Sequence, residues 1–444
     1  MKRFLIFAIT LTALLVLLTV SVFAEDAVAK VGETEYLTLQ EAIDAAGYGD
    51  TVVLLKDLSF ESTLANAGCG VFNVAADDKI VLDLNGKTID VIDNSVGNFI
   101  VIYNYGELTV KNGSIIVTST IDRDWNAQST VLMNRGGVLV IESGEYIHNG
   151  GTAMAFALDN SGNSFGDAYA TINGGTLTST YRAIRMRMAD TTLNGDPGNG
   201  EVFLTINGGY IHGDNAGVWG QITNSYAGQL GNLGITGGTI SGDNAAIQMG
   251  TDGYDNIDVT ISGDAEIIGI LKGEGSDFAI SGGTFTTEVD PEFFADGFIL
   301  VKDSEGNYFV GVSLESAFTF LGYSIPEYNP GSIAAGFTVD RDIIALYCEQ
   351  NKVESFDFGC AFGKDVIAEK NNRSFASYTS FQNFYTKIQN IDPANEKHIN
   401  ANLAMALYVN YGDGVLYVAE IDGSIKLVNA NEVPTVTFSS MLNR

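Results

Sequence analysis

One eight-residue phrase recurs through the middle of the chain. It reads ATINGGTL at 170–177, LTINGGYI at 204–211, LGITGGTI at 233–240 and FAISGGTF at 278–285. Each phrase alternates apolar and polar residues, which is the pattern of a strand with one buried face, and then turns at a Gly-Gly pair. The phrase returns at intervals of roughly 30 residues, and a loosely fixed period of that length indicates a solenoid.

Two further strands follow each phrase. The second is short, as in TLTS at 176–179, and the third is apolar: AMAFAL (153–158), AIRMRM (183–188), GVWGQI (217–222) and AIQMGT (246–251). Three strands per repeat predict the coils of a right-handed parallel β-helix. A leucine-rich repeat would need Leu-rich phrases with a helix or an Asn turn, and a propeller would need four-stranded units.

Polar residues precede the Gly-Gly turns and are predicted to form a structural ladder, because equivalent positions in stacked coils lie about 4.8 Å apart. They are Asn112, Ser143, Asn173, Asn207, Thr236, Ser262 and Ser281. His148 in EYIH and His212 in GYIH are interpreted as one repeat position seen twice, and therefore also as structural.

The N-terminal end of the stack requires a cap, because an open end exposes unpaired strand edges. TLQEAIDAAG (38–47) carries a capping box, Thr38 with Glu41 three residues on, and Gly47 is expected to end this helix. DTVVLLKD (50–57) is predicted to be the first strand of the coils.

Residues 1–24 have the layout of a secretory signal peptide: a basic start at Lys2 and Arg3, an apolar run, and Ala24 before the cleavage point. The alternative is an uncleaved membrane anchor. Cleavage predicts a secreted or cell-surface protein that keeps no transmembrane segment.

The formal net charge is −31, which would repel polyphosphates and excludes nucleic-acid binding as a function. Three cysteines are too few for a disulfide scaffold, and Cys348 and Cys360 are either a pair or two free thiols. No cofactor or metal is predicted from histidine or cysteine spacing. TDGYDNID (251–258) is either a loose calcium loop or a solvated turn.

The segment YLTLQEAIDAAGYGDTVVLLKD with its recurrent I-S/N-G-G-T/Y phrases resembles the cap and coils of secreted β-helix proteins of Gram-positive bacteria, in the pectate-lyase-like superfamily. The resemblance covers roughly residues 30–311 and concerns architecture, because this fold hosts lyases, hydrolases, adhesins and inert stalks.

After residue 312 the repeat stops, and the stretches 321–344 and 403–423 alternate like antiparallel strands. GYSI, GFTVD and YVNYGDG resemble a C-terminal module common on such surface proteins. The sequence therefore predicts an all-β chain: signal peptide 1–24, β-helix with a short N-terminal capping helix 25–312, and β-sandwich 313–444.

The third strands carry the candidate site. Aligning GTAMAFAL with YRAIRMRM, NAGVWGQI and NAAIQMGT places Met154, Ile184, Val218 and Ile247 inward. Five side chains then face outward beside each other as a predicted ligand-binding patch: Arg185, Arg187, Trp219, Gln221 and Gln248. The insertions after Leu158, Met188 and Ile222 are expected to wall a groove. The alternative is a solvated face without function.

Arginine beside an exposed tryptophan suits an acidic or neutral sugar, through ion pairs and ring stacking. The strands show no outward carboxylate, and Asp159 and Asp190 fall just beyond their ends. The leading hypothesis is therefore an adhesin-like or structural surface protein that binds glycan or another surface partner without catalysis. The alternative is a polysaccharide lyase or glycoside hydrolase acting in a groove on the β-helix.

Overall fold

The computed structural model describes residues 27–62, 70–95, 97–119, 129–151, 153–159, 166–189, 200–223, 231–249, 257–273, 277–302, 306–325, 331–353, 356–363, 373–375, 383–388, 392, 394–411, 414–429 and 431–441. The chain divides into two compact units. One comprises Met1–Phe293 and Lys302–Phe309, and the other Phe294–Val301 and Val310–Arg444. The predicted signal peptide lies outside the described residues.

The described strands as far as residue 312 are short, and their bounds follow in chain order: β1 (Ala29–Val31), β2 (Thr34–Tyr36), β3 (Asp50–Leu54), β4 (Leu58–Ser62), β5 (Phe72–Val74), β6 (Lys79–Asp83), β7 (Thr88–Asp93), β8 (Phe99–Asn104), β9 (Glu107–Lys111), β10 (Ser114–Ser119), β11 (Ser129–Asn134), β12 (Val138–Ile141), β13 (Glu145–Asn149), β14 (Ala153–Asp159), β15 (Ala168–Ile172), β16 (Thr176–Ser179), β17 (Arg182–Ala189), β18 (Val202–Ile206), β19 (Tyr210–Gly213), β20 (Ala216–Thr223), β21 (Gly231–Ile235), β22 (Thr239–Gly242), β23 (Ala245–Met249), β24 (Ile257–Ile261), β25 (Glu266–Ile268), β26 (Leu271–Gly273), β27 (Phe278–Ile280), β28 (Thr284–Phe285), β29 (Phe298–Lys302) and β30 (Tyr308–Val312).

Apart from β1, β2, β29 and β30 at the ends, these strands form three sheets in which neighbours are three strands apart in the chain. The first sheet runs β3-β6-β9-β12-β15-β18-β21-β24-β27, the second runs from β4 to β28, and the third runs β5-β8-β11-β14-β17-β20-β23-β26. Neighbours along these runs are paired in parallel, for example β14 with β17 and β17 with β20. One strand per sheet in each coil confirms the predicted all-β, right-handed parallel β-helix.

Alternation along each strand fills the interior of the coils. In the first sheet, Leu108, Leu139, Ala170 and Leu204 occupy one column of adjacent coils, and each is at most 3 % exposed. Removing this apolar surface from water stabilises the coils by roughly 25 cal/mol per Å². The periodicity of the phrases is thus the periodicity of the core.

The second glycine of each Gly-Gly pair is the residue that the turn requires. Gly175, Gly209 and Gly238 have φ of 92°, 95° and 83°, a region that side chains disfavour. A Cβ on Gly209 would lie 2.7 Å from the carbonyl oxygen of Gly175 in the preceding coil. That oxygen accepts a hydrogen bond from the backbone N–H of Tyr210, so the turns stack as predicted.

The polar ladder before the turns is confirmed in two pieces. The Ser143 hydroxyl donates to Oδ1 of Asn112 at 3.2 Å. Further along the stack, beginning in the coil after Ser143, Asn207 Nδ2 donates to Asn173 Oδ1 and Thr236 Oγ1 donates to Asn207 Oδ1, both at 2.9 Å. These side chains therefore hold adjacent coils in register.

The two histidines are not one repeat position, and that interpretation was wrong. His148 is in register with Ser179 of the next coil, whereas His212 is in register with Thr178. A shift of one residue turns a side chain to the other face of a sheet. His148 is consequently buried inside the coil, while His212 faces outward with its side chain 29 % exposed.

His148 belongs to a buried polar chain inside the coils. The Ser129 hydroxyl donates to Asp93 Oδ2 at 2.7 Å, and His148 Nε2 lies 2.5 Å from the same hydroxyl oxygen. Because serine has one proton, which goes to Asp93, Nε2 is the donor in the second bond. All three residues are at most 1 % exposed, so this chain of hydrogen bonds is structural.

The predicted capping helix is present as α1 (Leu39–Ala45), two residues shorter than the expected stop at Gly47. Thr38 Oγ1 accepts a hydrogen bond from the backbone N–H of Glu41, and Leu39, the first residue of the helix, is buried. The Gln40 side chain exchanges two hydrogen bonds with the backbone of Asn73 in β5, the end strand of the third sheet. It thus covers part of an otherwise open edge.

The second unit contains the remaining described elements: β31 (Phe318–Ser324), β32 (Ile333–Val339), β33 (Phe356–Gly363), β34 (Arg373–Phe375), β35 (Asn383–Ile388), β36 (Leu403–Tyr411), β37 (Gly414–Ile421), β38 (Ser424–Val428), β39 (Thr435–Val436), α2 (Arg341–Asn351), α3 (Glu396–Ile399) and α4 (Phe438–Met441). A short 3-10 turn covers Leu314–Ala317 in this unit, and another covers Pro291–Phe293 in the first unit.

Two antiparallel sheets form this unit, β31-β32-β35 and β34-β33-β36-β37-β38. The hairpin predicted in 403–423 is β36 with β37. The end of the 321–344 stretch is not a strand, because Asp340 caps α2 by accepting from the N–H groups of Asp342 and Ile343. The β-sandwich assignment for 313–444 and its boundary stay predictions. Cys348 is a free thiol whose pKa is raised by burial.

Candidate functional site

The predicted patch lies on the outer face of the third sheet. Strand pairing places Arg185 beside Trp219 and Trp219 beside Gln248, while Arg187 lies beside Gln221. The predicted residues therefore occupy neighbouring positions on three adjacent strands, β17, β20 and β23. The side chain of Gln221 lies outside the described residues.

The predicted alignment of β14, the strand before β17 in this sheet, was wrong by two residues. Met154 is in register with Arg182 rather than with Ile184, and Asp159 is in register with Arg187. Met154 packs with Tyr103 and Ala157, on the side of the sheet that carries Arg185, and not in the coil interior. Because the segment 153–158 is wholly apolar, alternation could not define its register.

Asp159 is consequently part of the site rather than beyond the strand end. Its Oδ2 lies 2.5 Å from Arg185 Nη2 and 3.8 Å from Arg187 Nη1, and its Oδ1 lies 3.5 Å from Arg135 Nη2. Three guanidinium groups thus surround one carboxylate, whose side chain is only 2 % exposed. Asp190, the other carboxylate named from the sequence, lies outside the described residues.

The expectation that the patch faces solvent was also wrong. Arg185 is 3 % exposed and Trp219 is 5 % exposed. Arg185 is buried together with its partner Asp159, and the guanidinium carbon of Arg182 lies 3.3 Å from the Trp219 ring centroid. One face of the indole is therefore already occupied, so a sugar cannot stack on that face as the sequence suggested.

We call this group the arginine cluster; its members are Arg135, Asp159, Arg182, Arg185, Arg187 and Trp219. Its rim is partly open, since the side chains of Arg187 and Arg135 are 29 % and 19 % exposed. Arg182 contacts a second ring as well, since its guanidinium carbon lies 4.4 Å from the centroid of the Tyr181 ring. Such cation–π contacts contribute roughly 0.5–2 kcal/mol each.

Burial perturbs the arginines. Desolvation lowers the pKa of Arg182 to about 10 and the pKa of Arg185 to about 10. Asp159 opposes this effect at Arg185, while the neighbouring charges of Arg187, Arg182 and Arg135 add to it. Both groups remain protonated at neutral pH.

Several N–H donors of the cluster have no acceptor. They are Nε of Arg182, Nε of Arg185, Nε of Arg187 and Nε1 of Trp219, each buried and without a hydrogen-bond partner in the part of the chain that the structure describes. A buried donor without an acceptor costs about 1–3 kcal/mol. A ligand that supplied oxygen acceptors to these donors would therefore be favoured.

Sequence reasoning missed Arg135, Arg182 and the contact role of Asp159. All three would have emerged from a correct register, because Arg135 follows β11 and the other two lie on β14 and β17. The insertions predicted to wall a groove lie largely outside the described residues, as do Asp252 and Asp255 of the calcium candidate.

Among the described residues, no group of three His, Cys, Asp or Glu side chains is placed to hold a metal ion. Their helices include none with the length and apolar character needed to cross a membrane. The chain matches no protein-family model, no curated protein and no solved structure. The arginine cluster is therefore interpreted from its own geometry.

Proposed function

We propose that this is a secreted or cell-surface β-helix protein that binds a glycan, or another surface partner, without catalysis. The binding surface is the outer face of the third sheet at the arginine cluster. The observation that supports this proposal is the excess of guanidinium groups: three lie within 4 Å of one buried carboxylate in a chain of net charge −31.

A glycan fits the chemistry of this face. Guanidinium groups offer N–H donors in a planar fork, and sugar hydroxyl and acidic groups are acceptors of matching geometry. Neighbouring strands repeat at about 4.8 Å, so the donors of Arg135 after β11, of the arginines on β17 and of Trp219 on β20 lie along the stack, where a chain of sugar units can follow them. Recognition then depends on hydrogen bonds from Arg187 and Arg135 at the rim rather than on stacking against Trp219.

Catalysis by a glycosidase mechanism is disfavoured by the carboxylates of the cluster. A glycoside hydrolase commonly uses two carboxylates roughly 5–10 Å apart, whereas Asp159 is the single carboxylate of the cluster among the described residues, and both its oxygens lie near arginines. The lyase alternative has one observation in its favour: burial lowers the pKa of Arg182 and Arg185, which moves each towards use as a base. A pKa of about 10 still leaves both largely protonated at neutral pH.

A glycan array probed with the purified protein tests binding, and reducing-sugar and unsaturated-product assays on the bound glycans test catalysis. We expect binding without product, and weaker binding by Arg187→Gln. Product formation that Arg182→Gln or Arg185→Gln abolishes would instead establish the lyase. No binding to any glycan or host-cell surface would refute the proposal. Detection of the protein in the culture supernatant or on intact cells tests its predicted location.

A further inference from the structure

The charge of the arginine cluster is unbalanced. The cluster contains four arginines and one aspartate, so its described residues carry three more positive than negative charges while the whole chain is strongly acidic. Arg182 contacts the rings of Tyr181 and Trp219, and no described carboxylate forms an ion pair with it. Uncompensated charge is costly to bury, and proteins normally pair it or bind a counter-ion.

The unpaired donors lie where this charge is concentrated. Arg185 and Trp219 are more than nine-tenths buried, yet Nε of the first and Nε1 of the second have no acceptor among the described residues. They belong to directly paired positions of adjacent strands. Arg187, two residues along the same strand, also has an unpaired Nε and is open to solvent over 29 % of its side chain. Charge and donors are therefore present together at a place that solvent reaches.

We propose that the arginine cluster binds an oxyanion, a carboxylate or sulfate group, which enters at Arg187 and accepts hydrogen bonds from the unpaired N–H groups of the cluster. Asp159 is a positioning residue in this site, because it fixes Arg185 by their ion pair. This inference rests on the proposed function in using the same face, and it narrows the ligand to one that carries such a group. An oxyanion would both satisfy the donors and offset the buried positive charge.

Binding should stabilise the folded protein, because a ligand that binds only the folded state shifts the unfolding equilibrium towards it. The test measures thermal unfolding and calorimetric binding of the full chain with sodium sulfate, sodium glucuronate and glucose. Sodium chloride at the same ionic strength corrects for general screening. We expect sulfate and glucuronate to raise the melting temperature above the chloride value, and glucose to leave it unchanged. The tighter of the two anions shows whether the group is a sulfate or a sugar carboxylate.

Variants separate specific binding from general attraction. Arg187→Gln should weaken anion binding about tenfold, the loss expected for one charge-assisted hydrogen bond. Arg187→Lys keeps the charge but loses the fork, and should also weaken binding. Lys272→Gln is the matched control: it removes one positive charge from the same sheet, in register with Gln248 but outside the cluster. It should leave anion binding unchanged, and the ligand-free melting temperature of each variant reports its folding.

Two results would overturn the inference: wild-type protein that responds to sulfate and glucuronate no more than to chloride, or equal losses in Lys272→Gln and Arg187→Gln. The outcomes also separate it from the proposed function. Glycans that bind through neutral sugars alone would leave the proposed function standing and end the oxyanion site. Anion binding without any glycan binding would do the reverse.

Discussion

Asp159 is the residue whose replacement most sharply tests the buried ion pairs. Asp159→Asn keeps the size and shape of the side chain and removes its charge. In the folded protein this carboxylate is the described partner of Arg185, which is 3 % exposed and has no other ion pair among the described residues. The variant therefore leaves a buried guanidinium without its counter-charge.

The expected loss follows from the geometry. At 2.5 Å between Arg185 Nη2 and Asp159 Oδ2, the attraction at an effective dielectric constant near 20 is about 7 kcal/mol. Desolvation of the carboxylate offsets part of this, and the amide oxygen of Asn still accepts a hydrogen bond. Breaking a buried pair by removing one partner usually costs about 3–5 kcal/mol, and we expect about 3 kcal/mol here.

Urea unfolding followed by tryptophan fluorescence measures this loss, because Trp219 belongs to the cluster and urea adds no ionic screening. The control is Glu107→Gln, which removes a carboxylate from an exposed pair with Lys79 at 2.7 Å, where both side chains are more than 40 % exposed. Solvent screens such an exposed pair, so its loss should change the free energy of unfolding little.

A double variant completes the test. Asp159→Asn combined with Arg185→Met removes both charges of the buried pair and should recover much of the lost stability, because no unpaired charge remains at that position. If Asp159→Asn shifted the unfolding midpoint no more than Glu107→Gln, Arg185 would have to be hydrated in solution. The reasoning that treats the cluster as buried would then be refuted.

Three further predictions concern stability. Gly209→Ala should destabilise the coils by about 2 kcal/mol or more, whereas Gly49→Ala, at a positive φ of 84° with open space around it, should cost about 1 kcal/mol; thermal melts compare the two. Trp219→Ala should lower the free energy of unfolding by about 3–5 kcal/mol, because the ring is 5 % exposed; a change under 1 kcal/mol in urea unfolding would show that the ring faces solvent. Ser129→Ala should cost about 1–3 kcal/mol, because it removes the hydroxyl that bridges His148 and Asp93. Ser114→Ala, at a half-buried serine that donates to Glu145, should cost under about 0.5 kcal/mol; equal losses in the two variants would contradict the buried hydrogen-bond chain.

The sequence by itself determined the repeat and hence the coils. Period-two alternation, as at Leu204, defines one buried face of each strand, and glycine at a positive φ, as at Gly209, defines the turns. Both features depend only on residues close together in the chain, so they can be deduced from the sequence. The capping helix was equally local, because Thr38 and Glu41 satisfy its first turn within four residues.

Register between coils was determined only by the tertiary structure. The wholly apolar strand β14 has no alternation, so which residue lies beside Arg185 depends on how complete coils stack. The same holds for His148 and His212, which similar local phrases place on opposite faces.

Burial of the candidate site was likewise a tertiary outcome. A guanidinium group is ordinarily solvated, and no local pattern indicated that Arg185 would be buried in a cluster. Its burial requires the carboxylate of Asp159 from one neighbouring strand and the indole of Trp219 from the other. These two residues are 26 and 34 residues away from Arg185 along the chain, and only the parallel pairing of β17 with β14 and β20 brings them together. Contacts between coils depend on the summed packing of many residues, and for that reason the repeat could be deduced from the sequence while the chemistry of the face could not.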